Sequence, residues 1–150
     1  MRIMLDTDVV LDLFSGREEF YRDALKIKAM GLYGDAELWV SAKSFTDVFY
    51  IMRRHCNRGS EEIQDIFLEN LSCLHVCSVD GSDIKAAAEE KWADFEDCLI
   101  SRCADKTNAD LLLTRDKKGF DRAHVKKSSP AEFFDWLERE YGIVYDEVDL

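Results

Sequence analysis

Short apolar runs alternate along this chain with longer stretches whose apolar residues recur every three or four positions. The runs Arg2–Leu5, Glu37–Val40, Leu74–Val79 and Asp110–Leu113 have the length of buried strands. Between them, helical spacing is carried by Phe20, Ala24, Leu25, Ile27 and Ala29 over Phe20–Leu32, a stretch that Gly31 and Gly34 help to end. The same spacing is carried by Phe45, Val48, Phe49 and Met52 over Lys43–His55, and by inward-facing Ile63, Ile66, Phe67 and Leu71 over Ser60–Leu71. Asp83–Trp92 and Phe95–Asp105 also read as helices, and Pro130 behind Ser129 starts a last one through Leu137. Strands that alternate with helices imply a mainly parallel sheet covered on both faces, an α/β fold of three-layer α/β/α type.

No linker, repeat or low-complexity segment divides the 150 residues, so one domain is expected over residues 1–138. Residues 139–150, with Asp146, Glu147 and Asp149, read as an acidic tail or an added edge element. No apolar stretch is long enough to span a bilayer, and MRIMLDTD reaches an acid within six residues, unlike a signal peptide. A cytoplasmic protein without membrane contact is the expectation. Five cysteines at irregular spacing read as buried thiols, with a zinc site at Cys73, His75 and Cys77 as the sharper alternative. The net charge of −11 argues against tight non-specific binding to nucleic acid, though not against an enzyme that uses metal ions and a local basic patch.

Acidic residues recur at the element boundaries. Asp6 closes the first strand, Asp47 lies early in the helix after the second, Asp97 opens the helix before the last clear strand, and Asp116 follows that strand. In open parallel sheets ligands bind outside the carboxyl ends of the strands, so these four can meet at one edge. Gathered carboxylates repel unless cations or protons neutralise them, and a hard divalent ion is the simplest remedy. Each acid also has a plainer reading. Asp8 and Asp12 read as solvent-facing or first-turn residues, Asp94 as an N-cap with Asp97 completing a capping box, and Asp47 as an exposed helix residue. Thr114, two positions before Asp116, offers a hydroxyl for a metal-bound water, and Ser44 has a weaker claim. The basic runs Arg53–Arg54, Lys117–Lys118 and Lys126–Lys127 are solvated by default, with phosphate contact as their second reading.

Taken together, MLDTDVVLDLF, SAKSFTDVFYIM, DFEDCLISRCA and LLLTRDKKGF resemble, in order, the motifs of the PIN domain, a nuclease fold of toxins and RNA-processing proteins. The resemblance covers about Met1 to Leu137, and the members with a DFED segment are the most similar. It implies a Mg²⁺- or Mn²⁺-dependent endoribonuclease with Asp6, Asp47, Asp97 and Asp116 in the catalytic set. Asp6, Asp97 and Asp116 would hold the metal, and Asp94, Thr114 and Ser44 would support it. Many family members carry Glu at the second acid, where this chain has the shorter Asp47. Family habit further implies an RNA substrate, a toxin–antitoxin pairing with an antitoxin protein, and a homodimer. Two rivals stand beside it. One is a non-catalytic, degenerate PIN binding module. The other is a haloacid-dehalogenase-like phosphatase, whose opening Asp6-Thr7-Asp8-Val9 matches but whose later acidic pair stands here in the wrong order, before TRDKK.

Overall fold

A computed structural model describes residues 1–145. Arg2–Leu5 forms β1 at the centre of the sheet, with Glu37–Ser41 (β2) on one side and Leu111–Leu113 (β4) on the other. Leu74–Cys77 (β3) lies outside β2 and Lys127–Ser128 (β5) outside β4, giving the order β3-β2-β1-β4-β5 with every pairing parallel. Seven helices make the connections: α1 (Thr7–Ser15), α2 (Glu18–Tyr33), α3 (Ala42–His55), α4 (Ser60–Asn70), α5 (Gly81–Glu90), α6 (Phe95–Lys106) and α7 (Pro130–Tyr141).

Both sheet faces are covered, which is why the buried positions Ile3–Leu5 of β1 and Leu111–Leu113 of β4 are all apolar. Side chains alternate across a pleated strand. Ile3, Leu5, Leu111 and Leu113 join one core with residues of α1, α2, α3, α4 and α7, while Met4 and Leu112 join another with Ile100, Cys103 and Ala104 of α6. The helix α5 closes over α6 through Ala87, Cys98 and Leu99. This is the expected α/β/α sandwich. The chain builds outward from β1 through β2 to β3, then crosses to β4 and β5, so its order reverses beside β1. The crevice at such a reversal, outside the carboxyl ends of β1 and β4, is where sheets of this kind bind ligands.

Several local expectations are corrected. The helix α1 starts directly after β1, with Asp6 as its N-cap. Asp12 is not solvent-facing: it is 2% exposed and takes two hydrogen bonds from Arg115, at 2.9 and 3.3 Å. Its partner lies 103 positions away, beyond the reach of any local pattern. Leu71 ends α4 exposed rather than inward, and Ile66 and Phe67 are half-buried. The two-residue strand β5 has no apolar period to announce it. Lys127 within it donates to the Phe120 carbonyl at 2.7 Å, and Lys126 lies over the Trp136 ring, so neither is simply solvated.

Cys73 and Cys77 pack in separate cores, and among the described residues Cys73, His75 and Cys77 form no group of metal ligands. The last helix continues to Tyr141, and Tyr145 beyond it donates to Asp35 at 2.6 Å. Asp146, Glu147 and Asp149 of the expected acidic tail lie outside the described residues. No described helix is long and apolar enough to cross a membrane.

Candidate metal centre

Asp6 is placed by the turn from β1 into α1. Its Oδ1 accepts the Thr7 backbone N–H at 2.7 Å, the capping bond that starts the helix, and its Oδ2 accepts the Thr114 hydroxyl at 2.7 Å. Thr114 Oγ1 also accepts the Asp116 N–H at 2.9 Å. One buried hydroxyl therefore ties the carboxyl end of β1 to that of β4. The expectation that Thr114 orients a metal-bound water is modified, because its only proton is committed to Asp6.

A second set of bonds comes from α3 and α6. The Thr7 hydroxyl donates to Glu96 and lies 2.8 Å from Ser44 Oγ, so the Ser44 proton points to Thr7. Ser44 thus supports the site through Thr7, as does Glu96, which the sequence reading passed over. Lys43 Nζ pairs with Asp47 and stands 3.9 Å from Glu96. The second acid of the expected set is held by a lysine one turn earlier. Asp94 is the N-cap of α6, accepting from the Glu96 and Asp97 backbone N–H groups at 2.8 and 3.3 Å, so the cap of its plainer reading is present, while Asp97 makes no return bond to complete a capping box.

Asp97 and Asp116 meet over Gly119. A Cβ built there would collide with the Asp97 carboxylate and come within 3.1 Å of Asp116 Oδ2. Gly119 also donates its N–H to Asp116 Oδ1 at 3.1 Å. Any side chain at 119 would push this pair apart. The tightest acidic group among the described residues is Asp94, Glu96 and Asp97, whose oxygens lie within 4.8 Å of one another. Asp6, Asp8 and Asp116 adjoin it, as their mutual electrostatics show.

Burial, reinforced by the charges of Asp8 and Glu96, pushes the Asp6 carboxyl up to about 8, against the hydrogen bonds from Thr114 and Thr7. Burial and then Asp94, Glu96, Asp116 and Asp8 push Asp97 up to about 6. Asp8 and Glu96 are also raised, chiefly by burial, with Arg115 opposing at Asp8 and Thr7 and Lys43 at Glu96. A cation placed among these acids would favour their charged forms. The donor set fits a hard divalent ion, being oxygen throughout, and among the described residues the buried Asp8 Oδ1 meets no hydrogen-bond partner. Asp8 was expected to face solvent or to lie in a first helical turn, and it does lie in the first turn of α1, though partly buried. Its other oxygen accepts the Arg115 N–H at 3.2 Å, leaving Oδ1 in the crevice group. A signal existed in its position two residues after Asp6, on a helix that begins in between.

The fold is an α/β/α sandwich with an acid-lined crevice at the reversal of its parallel sheet. A sequence profile described as "PIN domain" matches residues 2–118, and the chain belongs to that family. This membership sets aside the haloacid-dehalogenase-like alternative. Comparison with curated protein sequences gives no match. Solved structures share the fold. A chain of VapBC2 from Rickettsia felis, bound to a promoter DNA fragment, superposes with a TM-score of 0.63 at 17% identity, over 86% of this chain and 98% of that one. A toxin–antitoxin complex from Klebsiella pneumoniae gives 0.59 at 20% identity, over 85% and 97%. VapC20 of Mycobacterium tuberculosis, a toxin that cleaves the sarcin–ricin loop, gives 0.57 at 15% identity, over 73% and 86%.

The raised acids predict how stability depends on pH. Without metal, folded Asp6 and Asp97 keep protons that the unfolded chain releases near 3.8. Their contribution to stability is full below that value and falls as pH rises, up to about 6 for Asp97 and about 8 for Asp6, staying low above. Mn²⁺ at saturating concentration should raise the melting temperature near neutral pH, by the equivalent of ~2.7 kcal/mol at 100 times its Kd. At about pH 4.5 the ion should add little, because protons already neutralise the acids. Melting curves with Mn²⁺ or chelator at both pH values test this. Equal shifts at both, or none near neutrality, would show that the acids share no site.

Proposed function

We propose that this protein is a Mg²⁺- or Mn²⁺-dependent endoribonuclease of PIN type, acting in the cytoplasm as the toxin of a toxin–antitoxin pair. The observation that carries the reading is a linked row of acids at the sheet's reversal point: Thr114 ties Asp6 to the Asp116 backbone, Asp116 and Asp97 face each other over Gly119, and Asp97 groups with Asp94 and Glu96. Asp6, Asp97 and Asp116 would hold the metal, and Asp8 Oδ1 is free to join them. When bound, such an ion polarises the scissile phosphate and makes its water a better nucleophile.

The chain's own residues do the rest. Thr114 fixes Asp6 and Asp116 in one orientation through a single hydroxyl. Ser44 and Thr7 hold Glu96 beside them, and Lys43 places a positive charge among the acids. Asp47 acts from the rim through Lys43 or a bridging water rather than as a first metal ligand. The similarity to chains from VapBC and other toxin–antitoxin complexes supports an antitoxin partner, and similarity to a toxin that cuts the sarcin–ricin loop supports an RNA substrate.

One observation favours a second reading. With Asp47 tied to Lys43, a PIN fold that binds RNA without cutting it is the alternative. Cleavage of RNA with added Mn²⁺ decides between them. The wild type should cut, while Asp6→Asn and Asp116→Asn should each lower the rate by a factor of at least about 100, as expected when a metal ligand's contribution is removed. Cleavage unchanged in both variants would remove these acids from the reaction.

The helices α3 and α4 suggest a homodimer. Tyr50 and Leu68 are 66% and 69% exposed, and Phe45, Phe67, Leu71 and Val76 line an apolar groove beside them. A contiguous patch of this kind marks a contact surface. Light scattering at high micromolar concentration should give about twice the 17.4 kDa of one chain, and a persistent single-chain mass would refute the dimer.

A further inference from the structure

A cleft of about 430 Å³ opens directly off the acids, between the end of α5 and the loop that follows β4. Asp94, Asp97, Asp116 and Gly119 form the side it shares with the metal centre, and Trp92, Lys118 and Arg122 line it further out. The basic residues are notable because this chain carries 31 Asp and Glu against 20 Lys and Arg. Lys117 is paired with Glu132 at 2.6 Å and Lys127 reaches Asp121 at 4.0 Å. Lys118 and Arg122, by contrast, have no carboxylate within ion-pair distance among the described residues.

Arg122 is nonetheless fixed in place. Its guanidinium donates to the Glu90 and Lys91 carbonyls at 2.9 and 3.3 Å, at the end of α5, and stands 5.4 Å from the centre of the Trp92 ring. These bonds use two of its five N–H donors and leave its charge uncancelled. Trp92 is half-buried, and its Nε1 is satisfied by Glu90 at 2.9 Å. The cleft therefore offers held positive charge and an aromatic platform beside carboxylates suited to a metal.

We propose that this cleft seats the nucleotide adjoining the scissile phosphate of a single-stranded RNA. Lys118 and Arg122 hold its backbone phosphate, and Trp92 offers an indole face to its base. The proposal rests on the ribonuclease reading above. Charge selects the occupant only with the metal bound: Asp94, Asp97, Asp116 and Asp121 line the cleft beside Lys118 and Arg122, so RNA is admitted where an ion neutralises the acids and these two cations, without ion-pair partners among the described residues, face the phosphate. Size selects a single strand, because a cleft at the small end of the ligand-pocket range admits one nucleotide and not a duplex. Stacking on aromatic side chains beside a cationic groove is how proteins hold single strands.

The test uses the full chain carrying Asp6→Asn, since Asp6 does not line the cleft, with Mn²⁺ and a labelled single-stranded oligoribonucleotide followed by fluorescence anisotropy. Adding Lys118→Gln or Arg122→Gln should weaken binding about tenfold each and lower the slope of log affinity against log salt by about one per residue. Trp92→Leu should weaken binding at least about fivefold, with Trp92→Phe restoring most of it. Lys85→Gln, a charge change on an exposed surface, should leave affinity within about twofold. A duplex of the same sequence should bind more weakly than the single strand.

Mn²⁺-induced melting shifts of Lys118→Gln and Arg122→Gln made in the otherwise wild-type chain should match that of the wild type, which separates loss of RNA contact from collapse of the metal centre. Equal affinity of the parent and the Lys118→Gln/Arg122→Gln double variant, or no RNA binding by the parent, would overturn the proposal. Cleavage by the wild type judges the ribonuclease reading separately. If the wild type cuts and the double variant keeps its KM, only the cleft assignment fails.

Discussion

Repulsion between buried carboxylates is the constraint on which the rest of the site depends. Asp6 is 5% exposed, and burial followed by the charges of Asp8 and Glu96 raises its proton affinity, while burial followed by Asp94, Glu96, Asp116 and Asp8 raises that of Asp97. Like charges in a half-buried crevice destabilise the fold unless protons or cations join them. The protein could have avoided this by spacing the acids apart. It instead brings them from β1, β4 and α6 to the one place where the sheet order reverses. Local stability is given up for a cation site, a pattern expected where function rather than packing sets the sequence.

Neutral hydroxyls resolve most of the geometry. Thr114 bonds to Asp6 and Asp116, and Thr7 bonds to Glu96 while receiving Ser44. Hydroxyls can orient carboxylates without cancelling their charge, which a lysine or arginine would do. The two cations that do approach are kept at the margins. Arg115 is spent largely on Asp12 and stacks over Phe20 at 4.0 Å, and Lys43 is spent on Asp47. The central acids stay available to a metal, and Gly119 leaves room for Asp97 and Asp116 to share one side of the crevice.

The order of four strands and six helices was legible from short apolar or alternating runs, three-to-four periods and capping residues, while α1, directly after β1, was not read as a helix. The reversal at β1 was not legible, since periodicity says nothing about strand neighbours. Asp6 and Asp116 were readable as candidates because Asp6 directly follows β1 and Asp116 lies three positions beyond β4. Glu96 and Asp8 were missed because each sits beside a stronger candidate, and only the fold shows which way their helices turn them. The Asp12–Arg115 pair joins residues 103 positions apart, and β5 is two polar residues long, so neither leaves a local trace. The PIN resemblance supplied the order of the acids. The structure supplied the reason they need one another.

The most direct measurement is anomalous diffraction from crystals grown with Mn²⁺. The account predicts a single strong peak in the crevice outside β1 and β4, within about 2.0–2.3 Å of oxygens from Asp6, Asp97 and Asp116, the range set by hard divalent ions. A peak ligated only by Asp94 and Glu96, or no peak at a metal concentration that supports cleavage, would contradict it.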